Sequence, residues 1–165
     1  NKEFRIYYSN DLIGTQIGGA LKNIYAIAAG IAEGLNLGEN AKSALISRSF
    51  AEMARYAKKF KADKNTLFGL SGLGDLILTC SSKNSRNTQF GIKLASSKYD
   101  NFLDLLKSQE VTEGYYTVKA VYNISQKKNI DMPIMESVYN ILYKQHDLKE
   151  ELSNLLSRPI TEEKI

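Results

Sequence analysis

Apolar residues recur along this chain chiefly at helical spacing. Ile13, Ile17, Leu21, Ile24, Ala28, Ile31 and Leu35 stand three or four positions apart, the repeat of one helix face. Small residues fill much of the remaining surface of the same segment: Gly14, Gly18, Gly19, Ala20, Ala26, Ala29, Gly30 and Ala32. A helix that is apolar or small on most sides is a central one, closely approached by its neighbours. Glycine costs a helix ~1 kcal/mol relative to alanine. The glycines in the first turns therefore need a reason, and close approach of a ligand or of another backbone is one. Asp11 is placed to cap the start of this helix.

Downstream, Ile46, Phe50, Met53, Ala54, Ala57 and Phe60 mark a second amphipathic helix, with Lys58, Lys59 and Lys61 where the helix dipole favours cations. Phe68 to Asp75 reads as a glycine-rich turn. The apolar run Leu76-Ile77-Leu78 and a polar loop from Ser81 to Thr88 follow it. Helical patterns then cover roughly 88–97, 99–107, 113–128, 133–145 and 147–157. Pro133 suits the first turn of its helix, with Met132 extended before it. One segment has a different period. Phe4, Ile6 and Tyr8 alternate with Arg5, Tyr7 and Ser9, a short strand signal. A lone strand makes no sheet, so residues 1–10 are read as the remnant of the last strand of another domain. Residues 11–160 are expected to form an all-α domain of roughly eight helices, and 161–165 a tail.

Composition narrows the class. The chain has 165 residues, 43% of them hydrophobic, enough for one domain with a core that needs no metal or disulfide staple. Its single cysteine, Cys80, has no partner for an intrachain bridge, which points to a reducing compartment. The opening Asn1-Lys2-Glu3-Phe4-Arg5 is charged and no apolar core follows, so no signal peptide is expected. Gln16, Lys22, Asn23 and Glu33 make the weakly charged stretch 12–35 too polar for lipid, so no transmembrane segment is expected either. A net charge of +4, from 22 basic against 18 acidic residues, suits a small anionic substrate. The signs are interspersed and there is no basic stripe, which excludes nucleic acid as a partner. One Cys and one His (His146) cannot supply a metal site.

Few residues carry chemistry. Lys22 is the only charged residue between Asp11 and Glu33. A lysine drawn into a core resists charging and exchanges protons near neutral pH. The alternative is a packed stem with the amine reaching water. Asp75 is the only acid between Asp63 and Asp100. It either caps the helix beginning at Leu76 or holds the Lys22 ammonium. Thr79 shares its helix face at i+4. Ser85-Arg86-Asn87 offers a guanidinium and polar donors to a phosphate, beside a helix that Thr88 would open. An ordinary solvated loop is the alternative. Gly69-Leu70-Ser71-Gly72-Leu73-Gly74 has the glycines of a dinucleotide loop in the wrong order and no strand before it.

Four of these segments, in this order, resemble NAD(P)-dependent glycerol-3-phosphate dehydrogenases of bacterial type. They are Gly18-Gly19-Ala20-Leu21-Lys22-Asn23, Gly72-Leu73-Gly74-Asp75-Leu76 with Thr79-Cys80, Ser85-Arg86-Asn87 with Gly91, and Val111-Thr112-Glu113-Gly114. The similarity runs from about Phe4 to Pro159. It implies the helical C-terminal domain of such an enzyme, a fold of the 6-phosphogluconate dehydrogenase C-terminal-like type. The nucleotide-binding Rossmann half then lies outside these residues, apart from the strand remnant. The implied reaction interconverts glycerol 3-phosphate and dihydroxyacetone phosphate with NAD or NADP, in the cytoplasm, feeding glycerophospholipid synthesis. Lys22 is implied as general acid/base, with Asp75 beside it as the second catalytic group. Substrate contacts are implied at Lys22, Asn23, Asp75, Thr79, Ser85, Arg86 and Asn87, and cofactor contacts at Arg86, Val111 and Glu113. The cofactor would be held mainly by the N-terminal half, so these residues alone are expected to be inactive. A homodimer is left open.

Lys83 stands where the family pattern leads one to expect proline, which leaves the conformation of that loop open. Two other classes compete. Hydroxyisobutyrate-type 3-hydroxyacid dehydrogenases typically carry two asparagines after the lysine, whereas Ile24 follows Asn23 here. A non-catalytic helical interaction domain would give Lys22, Asp75 and Arg86 no reason to converge.

Overall fold

The computed structural model describes residues 5–96 and 112–159. Eight α-helices lie among them: α1 (Leu12–Gly34), α2 (Glu39–Lys59), α3 (Lys64–Phe68), α4 (Asp75–Ser81), α5 (Arg86–Ala95), α6 (Glu113–Lys128), α7 (Pro133–Lys144) and α8 (Leu148–Leu156). A π-helical turn, Leu70–Gly74, joins α3 to α4. None of these helices is long and apolar enough to cross a membrane.

α1 is the axis of the fold, as its composition predicts. Asn23 through Ala32 are all buried, and α2, α3, the π turn, α4, α5, α6 and α7 pack around the helix. Its start is tied down twice by one side chain. Asp11 Oδ1 accepts the Gly14 N–H at 2.9 Å and Oδ2 accepts the Asp63 N–H at 2.8 Å. These bonds, the one from Gly14 first, hold the Asp11 carboxyl below its ordinary pKa.

The glycines of α1 have distinct uses. A Cβ on Gly30 would run into the Thr88 carbonyl, and one on Gly91 would strike the Ile27 carbonyl and lie 2.8 Å from the Ile31 nitrogen. α1 and α5 therefore meet backbone to backbone. Gly91→Ala is expected to destabilise the domain by about 1–3 kcal/mol, the usual cost of overpacking, because the colliding atoms are main chain and cannot turn away. A thermal melt equal to wild type would show that the two helices part freely.

Glu52 of α2 is 1% exposed. It accepts the N–H groups of Ile134 (2.6 Å) and Met135 (3.1 Å) and the Tyr25 hydroxyl (3.2 Å). α7 opens on Pro133, and Met132 before it has no polar side chain with which to cap. Glu52 supplies that cap from another helix. Burial pushes its carboxyl up to about 7, against the pull of those donors and of Arg55.

The structure differs from the sequence expectation in three places. Residues 5–9 carry no regular secondary structure, and Ile6, Tyr7 and Tyr8 are exposed. The strand expected over 4–9 is thus missing from its described part, Phe4 lying outside it. A strand is held by ladder hydrogen bonds to a neighbour, and every other described element is helical. The glycine-rich turn at 68–75 is a π-helical turn. α5 begins at Arg86, capped by Ser85 rather than opened by Thr88. The helix expected over 99–107 lies outside the described residues.

Candidate functional site

Lys22 projects from α1 towards the first residue of α4, and its Nζ meets Asp75 Oδ2 at 2.5 Å. The register follows from the glycine one turn earlier. At Gly18 the backbone of α1 lies against the Ser71 carbonyl, with no room for a Cβ. Four residues further along each segment, Lys22 faces Asp75. The π turn is compact enough for this because Gly72 in turn presses on the Leu67 backbone. Asp75 is therefore not the N-cap of the helix it opens. Gly74 holds that position without a side-chain bond, and the carboxylate is free for the lysine. Thr79, one turn on, donates to the Asp75 carbonyl at 2.6 Å and reaches Oδ1 at 3.3 Å. The carboxylate is thus held on both oxygens. The Lys22 side chain is 23% exposed and that of Asp75 32%. The amine is neither sealed in the core nor loose in water.

Lys22 stands in the wall of a cavity of about 280 Å³ that also includes Asn23, Thr79, Ser85, Arg86, Asn87, Thr112 and Glu113. Ser85 caps α5, its Oγ accepting the Thr88 N–H at 3.2 Å, so Arg86 and the N-terminus of a ten-residue helix open into this space. Thr88 hydroxyl donates to the Thr79 carbonyl at 2.9 Å and ties α5 to α4. The loop before α5 closes without proline. Gln89 Nε2 donates to the Lys83 carbonyl at 2.9 Å and the Asn84 N–H to Ser82 Oγ at 3.2 Å.

Asn23 and Asn87 are mostly committed to holding the walls together. Asn87 Nδ2 donates to Asn23 Oδ1 at 3.0 Å, and its Oδ1 accepts the Gly114 N–H at 3.0 Å. Asn23 Nδ2 reaches back to the Gly19 carbonyl at 3.2 Å. Each amide keeps one N–H for a ligand. Through this bridge α5 caps α6, a task the Thr112 side chain leaves undone. Gly114 permits it, since a Cβ there would sit 2.6 Å from the Asn23 carbonyl oxygen.

Of the residues singled out in the sequence, Lys22, Asn23, Thr79, Ser85, Arg86, Asn87 and Glu113 line one cavity, with Asp75 bonded to its lysine. Val111 lies outside the described residues. Ser82, Asn84 and Thr112 also line the cavity and were not anticipated. Only Thr112 carried a signal, its place between Val111 and Glu113. His146 takes no part; its Nδ1 pairs with Glu151 Oε1 at 2.7 Å. Cys80 is buried, and burial pushes its thiol up to about 12.

Residues 11–153 match the family described as NAD-dependent glycerol-3-phosphate dehydrogenase C-terminus. Among curated proteins, the glycerol-3-phosphate dehydrogenase (NAD(P)+) of Mannheimia succiniciproducens is 44% identical over 158 residues, covering 96% of this chain and 47% of its own length. That of Brachyspira hyodysenteriae is 48% identical over 158 residues, covering 94% and 47%. The crystal structure of glycerol-3-phosphate dehydrogenase from Coxiella burnetii superposes with a TM-score of 0.88 at 40% identity, over 96% of this chain and 48% of that one. The yeast enzyme gives 0.76 at 29% identity, over 87% and 42%. The chain spans about half the length of the relatives it matches.

Proposed function

The chain belongs to the NAD-dependent glycerol-3-phosphate dehydrogenase C-terminal family, and on that footing we propose that it is the substrate-side half of an enzyme interconverting glycerol 3-phosphate and dihydroxyacetone phosphate. The observation that carries this reading is the 2.5 Å pairing of Lys22 with Asp75 beside the cavity that Arg86 lines. An acid/base and a phosphate clamp in one small space suit a short phosphorylated ketone. A helical interaction domain gives no reason for that convergence.

In this mechanism Lys22 Nζ gives a proton to the C2 oxygen of the ketone, and takes it back in the reverse direction. Asp75, steadied by Thr79, fixes where the ammonium points. Arg86, Ser85 and the N-terminus of α5 bind the phosphate. Asn23 and Asn87 each offer the remaining amide N–H to the substrate. A nicotinamide cofactor, when bound, supplies or removes the hydride at C2. The residues present fit such a group: Arg86 and Glu113 share the cavity wall and would hold it, a guanidinium for phosphate and a carboxylate for hydroxyl or amide donors. Most of its binding falls to a nucleotide half outside these 165 residues. A buried, unreactive Cys80 suits a reducing cytoplasm.

The test is turnover of dihydroxyacetone phosphate by the full-length protein with reduced NAD and NADP in turn. Absence of turnover with both would end the proposal. Within an active enzyme, Arg86→Ala is expected to weaken substrate binding by roughly 1.5–3 kcal/mol, the worth of charge-assisted bonds to phosphate. The effect should appear mainly as a raised KM. An arginine variant with unchanged affinity for the phosphorylated substrate would place the phosphate elsewhere.

A further inference from the structure

Thr88 is not among the residues that line the cavity, yet its polar groups meet three different neighbours. It is 1% exposed. Its N–H donates to Ser85 Oγ at 3.2 Å, at the step into α5 that carries Arg86. Its carbonyl lies against Gly30 of α1. Its hydroxyl donates to the Thr79 carbonyl at 2.9 Å. Thr79 stands in the last turn of α4, where carbonyls have no partner within the helix. One residue thus joins α1, α4 and α5 beside the cavity.

Of the helices that carry the site, α4 is the one left to be held. The main-chain contact of α5 with α1 at Gly30 and Gly91 already sets Arg86 against Lys22. α4 carries Asp75 and Thr79 and is only seven residues long. Leu76 and Cys80 bury its inner face, but apolar contact is non-directional and does not fix how a helix is turned about its axis. Directional ties come at its two ends. Asp75, its first residue, pairs with Lys22, and Thr88 holds the Thr79 carbonyl in its last turn. The Thr79 hydroxyl bonds back to the Asp75 carbonyl and reaches Oδ1. A shift at the held end is therefore passed to the carboxylate that aims the amine. A buried valine at position 88 would fill the same space without that hold.

We propose that Thr88 is a positioning residue: by holding the Thr79 carbonyl it fixes α4 against α5, so that Asp75 aims the Lys22 amine at the C2 oxygen of a ketone whose phosphate Arg86 and Ser85 hold. This deepens the function proposed above and rests on it.

The experiment uses the full-length protein with Thr88→Val, which removes the hydroxyl and keeps the shape, and Thr88→Ser, which keeps the hydroxyl. Thr88→Ala is made alongside and carries the same expectation as valine, should the valine variant fail to fold. Kinetics are taken well below the thermal midpoint, per mole of protein that binds reduced cofactor. With Thr88→Val, kcat for dihydroxyacetone phosphate should fall about tenfold to a hundredfold, as misplacement of a reacting group does. Competitive inhibition by inorganic phosphate needs only the clamp, so its constant should stay within about twofold of wild type. Thr88→Ser should return kcat to within about threefold of wild type. A bond that merely satisfies a buried carbonyl would lower the thermal midpoint and leave kcat per folded molecule unchanged, and that result overturns the proposal. Phosphate inhibition that weakens in step with kcat would mean that Thr88 acts on the clamp through Ser85, and the proposal fails. A serine variant as slow as valine would take the hydroxyl out of the account, and it fails again. If wild type reduces dihydroxyacetone phosphate and the valine and alanine variants do so equally well, only the proposal for Thr88 falls. If wild type does not reduce it, the functional reading falls and takes this one with it.

Discussion

On the proposed function, Lys22→Ala in the full-length protein is expected to lower kcat by about 10²–10⁴-fold, the usual contribution of general acid catalysis, with cofactor binding nearly normal. The amine is the group held beside the cavity by Asp75 at 2.5 Å, and alanine leaves nothing there to meet the oxygen of the proposed ketone substrate. Lys22→Arg separates charge from proton transfer. A guanidinium can keep the ion pair with Asp75 but does not give up its proton at working pH, so activity should stay low. Steady-state kinetics with each substrate varied in turn, and cofactor binding measured directly, would check both variants. A lysine variant that raised KM and spared kcat would move the proton source elsewhere, most simply to a water held by Asp75 or Thr79.

The second large effect concerns stability and lies away from the cavity. Glu52 titrates near 4.5 when exposed and at about 7 in the fold, so the native state holds its proton more tightly than the unfolded chain. Its protonated form therefore favours folding below the unfolded value. That contribution falls away as pH rises from about 4.5 to about 7 and is gone above, a span of about 3 kcal/mol at 1.36 kcal/mol per unit. Carboxylates with lowered values, such as Asp11, slope the other way, so the difference between wild type and Glu52→Gln is the quantity to measure. Glutamine keeps an acceptor for the Ile134 N–H and has no proton to lose. Denaturant melts at about pH 5 and about pH 7.5 should show wild type losing stability relative to the variant as pH rises. A pH-independent difference would mean that Glu52 keeps an ordinary carboxyl in the fold.

Local rules carried much of the helical plan. Asp11 caps α1 and Pro133 opens α7, because each acts on its own turn. The pattern over 113–128 coincides with α6. α2 starts at Glu39, before the apolar periodicity begins at Ile46, since its first turns face water and bury little. What stayed hidden depends on residues far apart in sequence. The Gly69–Gly74 run looks like a turn until Gly18 receives Ser71. Asp75 looks like a cap until Lys22, 53 positions earlier, claims its carboxylate. Glu52 looks like a surface acid until α7, 82 positions away, places its first amides on it. At the cavity the residue types were legible from the motif order. The bridge from Asn23 through Asn87 to Gly114 was not, because asparagine in sequence gives no sign of which of its amide groups is already occupied.

The contact of α1 with α5 through Gly30 and Gly91 also limits how this molecule can move. Two helices touching at their main chains have no side-chain layer to slide on, and interiors packed this closely do not deform smoothly. Lys22 and Arg86 therefore travel together, as a floor whose spacing is settled when the chain folds. On the proposed function, ligand entry and release then fall to hinging of the nucleotide half, with the floor itself still. Amide exchange offers a direct view of this: the central turns of α1 should open only when the whole domain does.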